Sequence, residues 1–122
     1  MPGLNFHKRF ADNVESGRKR QTIRAFRVIP IKPGDMLYLY TGLRTKYARK
    51  LGQYPAKSVE LIHMHFNTKN DDVVILKETV YSTQTELDQF AQADGFDDWQ
   101  DLKAWWKKTH NKKVFKGTLT KW

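Results

Sequence analysis

Cysteine is missing from all 122 residues, so disulfides, thiolate nucleophiles and cysteine-based zinc sites are excluded. That absence suits a reducing compartment. No apolar run approaches the roughly 18 residues that a membrane-spanning helix requires, and the N-terminus lacks the pattern of a secretory signal. The expectation is a soluble, cytoplasmic protein with no membrane partner. A Walker loop, a Rossmann glycine fingerprint, a GxSxG elbow and an HExxH pair are also absent. No repeat, linker or low-complexity stretch divides the chain. Its length suits one domain over residues 1–122, large enough to bury a core without metal or disulfide staples.

Acidic residues are scarce at both ends. Residues 1–57 carry 13 Lys and Arg against three acids, and residues 102–122 carry seven lysines and no acid. The other ten acids lie within residues 58–101, beside two lysines. A net charge of +9 segregated in this way favours a basic face that attracts a nucleotide or a phosphodiester backbone, with affinity that weakens in salt. Many small basic proteins have no such partner, so charge alone leaves both readings open.

The densest basic run is Gly17-Arg18-Lys19-Arg20-Gln21-Thr22-Ile23-Arg24. A helical pattern from Phe10 to Ser16 precedes it and stops at the glycine, while Thr22-Ile23-Arg24 alternates as a half-buried strand does. Thr22 and Arg24 then share one strand face, with Lys19 on the turn before them. A hydroxyl, an amine and a guanidinium held together suit anion binding or acyl chemistry. A basic loop backed by a β-branched strand is the plainer reading of the same residues.

Elsewhere the pattern predicts an α+β chain. Leu4–His7 reads as a short strand ahead of a helix near 9–16. Pro33-Gly34-Asp35 marks a turn, and Met36–Tyr40 reads as a buried strand. Residues 41–57 read as an irregular basic loop, with a possible strand near Tyr47–Lys50. Val59–Phe66, with Ile62, Met64 and Phe66 on one face, and Val73–Val80 read as a hairpin around a turn at Asn67–Asp72. Thr83 and Glu86 form a capping box for a helix that stops at Gly95, and Asp97 or Asp98 opens another carrying Trp99, Leu102, Trp105 and Trp106. Val114–Trp122 alternates as a last strand.

The tryptophan stripe has helical spacing and reads as core rather than as a base-stacking surface. Tyr38, Tyr40, Tyr47 and Tyr54 are open to either role. His63 and His65 share a strand face, but no third ligand lies near, so no metal site is expected.

Three segments in order carry a family resemblance. They are Phe10-x3-Val14-x2-Gly17-Arg18-Lys19-x2-Thr22-Ile23-Arg24, then Lys32-Pro33-Gly34-Asp35 with Met36–Tyr40, then Ala91–Trp99 with its acid-Gly-Phe corner. Together they resemble the ASCH family of the PUA-like superfamily, over residues 6 to 106. The resemblance implies a small β-barrel of about six strands with flanking helices and a cleft beside the basic signature. Small bacterial members are amidohydrolases that remove the acyl group from N4-acetylcytidine and related N4-acylcytidines, and other members bind or cleave RNA. Their catalytic positions correspond here to Lys19, Thr22 and Asp94. Substrate binding is expected at Arg18, Arg24, Tyr40 and Arg44, with no cofactor, a nucleoside or RNA as partner, and a monomer. Two departures stand out. Arg20-Gln21 replaces the usual Thr-x of the signature, and Asp94 stands where those amidohydrolases carry glutamate.

The chemistry can be argued from the residues as well. Amide cleavage needs a nucleophile, a base, a donor for the oxyanion and an acid for the departing amine. Thr22 offers the hydroxyl. Arg18, Arg20 and Arg24 are expected to lower the Lys19 pKa, as burial would, so that neutral Lys19 can take the Thr22 proton. Asp94 can orient Lys19 or relay a proton, and Arg24 can hold the oxyanion or the pyrimidine carbonyl. A Lys19–Asp94 ion pair that merely closes the cleft is the alternative.

Overall fold

The elements run β1 (Gly3–Phe6), α1 (Lys8–Glu15), β2 (Gln21–Arg24), β3 (Met36–Thr41), β4 (Arg49–Pro55), β5 (Ser58–His65), β6 (Val73–Leu76), β7 (Thr79–Tyr81), α2 (Gln84–Ala93), α3 (Trp99–His110) and β8 (Val114–Lys121). They are seen in a computed structural model that describes residues 3–66, 72–110 and 113–122. The expected turn at Asn67–Asp72 lies, apart from Asp72, outside the described residues.

Local chemistry accounts for the helices. The His7 imidazole Nδ1 accepts the Arg9 N–H at 3.1 Å and so caps α1, which buries Phe10, Ala11 and Val14. The Thr83–Glu86 capping box forms at the start of α2, each residue bonding the other's backbone N–H at 3.2 Å. The Asp98 carboxylate accepts the Asp101 N–H at 2.9 Å and opens α3. The chain is α+β, and its strands form two sheets. The first has the order β1-β3-β4, with β1 parallel to β3; the second has the order β2-β8-β5-β6-β7 and is antiparallel throughout. One apolar cluster joins their inner faces to the helices, including Leu4, Leu37, Leu39, Ile62, Met64 and Trp99.

Three expectations change. The sheets do not close into a barrel among the described residues, and eight strands replace about six. Part of the excess is the predicted single strand Val73–Val80. The chain reverses at Lys77-Glu78, with Lys77 in the left-handed region at φ 56°, and pairs with itself as β6 and β7. No Gly, Asn or Pro advertises that turn. The other addition is β4, which replaces much of the expected loop. Its Leu51 is buried while Arg49 and Lys50 stay exposed, the usual dress of an edge strand. Within β3, only Leu37 and Leu39 are buried; Met36 is exposed, because the outer face of this sheet meets solvent.

Candidate functional site

Helix α1 ends at Gly17, and the Lys19 N–H reaches back to the Asn13 carbonyl at 2.9 Å. That bond turns the chain so that Arg18 and Arg20 face solvent while Lys19 points inward, 3% exposed. Arg20 curls back on its own turn, its Nε donating to the Gly17 carbonyl at 3.1 Å. The far wall comes from the α2–α3 corner. Asp94 caps α2, and the Gly95 and Phe96 N–H groups return to the Gln92 and Ala91 carbonyls in a Schellman closure. Gly95 adopts φ +95°, and a Cβ there would meet the Lys19 Cδ at 3.0 Å and the Phe10 ring at 3.1 Å. Glycine therefore lets this corner lie directly on the lysine stem.

Lys19 and Asp94 meet there. The Lys19 Nζ donates to the Asp94 backbone carbonyl at 2.5 Å and stands 3.3 Å from its carboxylate Oδ1. The same oxygen accepts the Gln21 side-chain amide at 3.3 Å. A helix C-terminus is the negative end of the dipole, which favours the lysine cation and disfavours the aspartate anion. Burial acts on both. It lowers the Lys19 pKa below the ordinary lysine value, helped by the Arg24 charge and opposed by Asp94. It raises the Asp94 pKa, against Lys19, Gln21 and Arg24. Each group is thus pushed towards its neutral form, an amine that can accept a proton and an acid that can give one.

Thr22 and Arg24 follow on β2, held by pairing of Thr22 with Thr120 and of Arg24 with Thr118 on β8. The Arg24 Nε donates to the Thr22 hydroxyl at 3.2 Å, and its terminal nitrogen donates to the Asn5 carbonyl at 2.7 Å. Burial first, then the Arg27 charge, bring the Arg24 pKa down to about 10, with Asp94 opposing. Both cations lie against rings, Lys19 at 5.1 Å from the Phe10 centroid and Arg24 at 5.0 Å from that of Phe6.

Lys19, Thr22, Arg24 and Asp94 border one cavity of about 310 Å³, whose walls include Phe6, Phe10, Phe96 and Trp105. A direct Lys19–Thr22 hydrogen bond is absent; the threonine hydroxyl is engaged by Arg24 instead. Of the remaining expected substrate-binding residues, Arg18, Tyr40 and Arg44 do not line the cavity. Arg18 is exposed because Lys19 takes the inward direction. Alternation sends Leu37 and Leu39 to the core and turns Tyr40 away, and Arg44 sits exposed at a left-handed residue of the β3–β4 connection. Nor do Arg18 and Arg20 depress Lys19; among the arginines that effect belongs to Arg24.

Sequence reasoning missed Gln21, which it took only as a departure from the signature, and the wall residues His7, Phe96 and His110. It also took the whole tryptophan stripe as core. Trp99 and Trp106 are buried, whereas half-exposed Trp105 faces the cavity, edge-on to His7 at 4.9 Å. Buried Trp106 borders the same cavity, so of the three only Trp99 is core alone, and helical spacing carries no such signal. His63 and His65 lie on β5 opposite Ile75 and Val73 of β6, and no group of three metal-binding side chains occurs among the described residues. No helix among the described residues is long and apolar enough to cross a membrane.

No family model matches the chain, and no curated protein or solved structure matches it either.

Proposed function

We propose that the chain is an ASCH-type amidohydrolase that removes the acyl group from N4-acetylcytidine or a related N4-acylcytidine. The observation that carries this reading is the convergence of Lys19, Thr22 and Asp94, from opposite ends of the sequence, on one aromatic-walled cavity. Flat rings at Phe10, Phe96 and Trp105 suit a pyrimidine, and Lys19, Thr22, Arg24 and Asp94 supply polar groups to the same wall. The PUA-like kinship belongs to the same proposal, with the two sheets as an open version of its barrel.

Neutral Lys19 takes the Thr22 proton as the hydroxyl oxygen attacks the acyl carbon. The carbonyl electron pair moves onto oxygen, where Arg24, already beside the threonine, stabilises it. Collapse breaks the carbon–N4 bond, and the departing nitrogen takes a proton from the Lys19–Asp94 pair. Cytidine leaves, and water then hydrolyses the threonine ester, regenerating the hydroxyl and releasing the carboxylic acid. Gln21 holds the Asp94 carboxylate for this exchange. Thr22 must shift from Arg24 towards Lys19 when substrate binds, since apo contacts in such sites are commonly loose.

Incubation with N4-acetylcytidine and chromatographic detection of cytidine tests the reading. Turnover is expected, abolished by Lys19→Ala and reduced by about 10² to 10⁴-fold in Thr22→Ala and Asp94→Ala. Wild-type protein inert towards several N4-acylcytidines sinks the proposal. Full activity in Thr22→Ala replaces the threonine by a lysine-activated water. A second reading, an RNA-binding module without catalysis, is favoured by a groove of about 620 Å³ that shares Asn5, Phe6 and His7 with the cavity and adds Lys8, Tyr47 and Arg49. It requires no turnover together with RNA affinity that falls steeply with salt.

A further inference from the structure

The hydrolysis leaves one donor in the cavity wall unused. His7 caps α1 through its Nδ1, which accepts the Arg9 N–H at 3.1 Å. That bond needs a lone pair on Nδ1, so the ring proton is held on Nε2, which becomes a donor. Nε2 has no hydrogen-bond partner among the described residues. His7 is exposed, so a ligand can reach the ring, and edge-on contact with Trp105 at 4.9 Å gives the imidazole a second hold. Its place in the wall matters too. The cavity and the groove of about 620 Å³ have Asn5, Phe6 and His7 in common, so these residues mark where one opens into the other. Phe6 has no polar side-chain atom. Asn5 holds its amide oxygen on the Leu43 N–H at 2.9 Å, next to groove-lining Gly42. The imidazole is left to face the cavity mouth.

Resting on the amidohydrolase reading, we infer that His7 is a specificity-determining residue, its Nε2–H donating to the 2-carbonyl of the pyrimidine. The order of groups around cytosine carries the argument. N1, which bears the ribose, lies across the ring from C4 and its acylated nitrogen, and the 2-carbonyl is the neighbour of N1. With N4 at Lys19 and Asp94 and the acyl carbon at Thr22, N1 faces away from them. The ribose then leaves through the junction into the groove, and the 2-carbonyl comes to the junction with it. A carbonyl oxygen only accepts and this ring N–H only donates, so the two are matched. A base without that oxygen leaves the donor unanswered and is selected against. His7 stands at one end of α1 and Lys19 just beyond the other, so a single helix sets the spacing between the group that reads the ring and the group that starts the reaction.

Cytosine and 4-aminopyrimidine, which is cytosine without its 2-oxygen, test this by binding alone. Both would be titrated by NMR into wild type, His7→Asp and His7→Ala. Aspartate keeps an acceptor for the α1 cap and has no N–H to give, so it separates reading from capping. The ratio of affinities, cytosine over 4-aminopyrimidine, is expected to fall about three- to tenfold in both variants, the worth of one neutral hydrogen bond. Changes in helix stability act on both ligands and cancel from the ratio. In wild type the imidazole nitrogen spectrum should show the Nε2–H form, and cytosine, but not 4-aminopyrimidine, should shift that proton at saturation. A ratio unchanged in either variant, a ring proton on Nδ1, or cytosine that does not bind overturns the inference. A fall confined to His7→Ala would trace the effect to the cap. Turnover of N4-acetylcytidine is judged separately. A protein that shows the falling ratio without turnover loses the amidohydrolase reading and keeps His7 as a reader of the cytosine carbonyl. One that hydrolyses acylcytidines with an unchanged ratio loses the role of His7 alone.

Discussion

Replacing Gly95 by alanine is expected to damage both stability and turnover, and Gly34 provides the control that separates the two causes. The backbones are alike, with φ +95° at Gly95 and +93° at Gly34. An L residue forced into the left-handed region costs about 1–2 kcal/mol. At Gly34 a Cβ meets nothing within 4 Å, so Gly34→Ala should lose about that and no more. At Gly95 the added carbon would stand 3.0 Å from Lys19 Cδ and 3.1 Å from Phe10 Cδ1, inside packed core. Relief needs a shift of the lysine stem or the α2–α3 corner, and overpacking of this kind adds about 1–3 kcal/mol. Urea unfolding should therefore place Gly95→Ala below Gly34→Ala by that second amount, at unchanged m-value. Because the displaced atom belongs to the proposed base, turnover should fall in Gly95→Ala by up to about 10²-fold, and in Gly34→Ala hardly at all. Equal destabilisation of the two variants, with N4-acetylcytidine turnover intact in Gly95→Ala, would falsify the argument that this corner positions Lys19.

The lowered Lys19 pKa has two measurable consequences. Turnover should fall as the medium is made acid, because only the neutral amine accepts the threonine proton; a rate flat across the acid range would remove Lys19 as base. In the window between the lowered folded value and the ordinary 10.5, the unfolded chain holds more proton on Lys19 than the folded one, so stability should rise with pH there. Lys19→Met should lack that rise in pH-dependent urea unfolding, and a slope identical to wild type would contradict the burial effect. At His7, alanine should cost about 1 kcal/mol by removing the acceptor that caps α1, while asparagine, which restores an acceptor, should lie within a few tenths of wild type. Equal losses in denaturant titrations would show that the imidazole matters through Trp105 and not through the cap.

Features that depend on neighbours in the chain were legible before any fold was known. The capping box at Thr83 and Glu86, the stop at Gly95 and the alternation that buries Ile62 and Met64 are local events, governed by backbone stereochemistry and by the twofold period of strands. The basic turn into Thr22-Ile23-Arg24 was legible for the same reason. The β6–β7 reversal is just as local, yet it escaped, because a lysine took the left-handed position that usually falls to glycine or asparagine. Tertiary structure alone decided the rest. The pairing of β1 with β3 in parallel joins segments more than 30 residues apart and leaves two sheets where one barrel was expected. Lys19 meets Asp94 across 75 positions, and Gln21 reaches the same carboxylate across 73. Which arginine faces the cavity and which faces water, and which tryptophan lines a wall while another fills the core, follow from how α1, α3 and the α2–α3 corner pack. Residue type carries no record of that direction, because a side chain's surroundings are made by elements distant in sequence that meet only once the apolar faces are buried together.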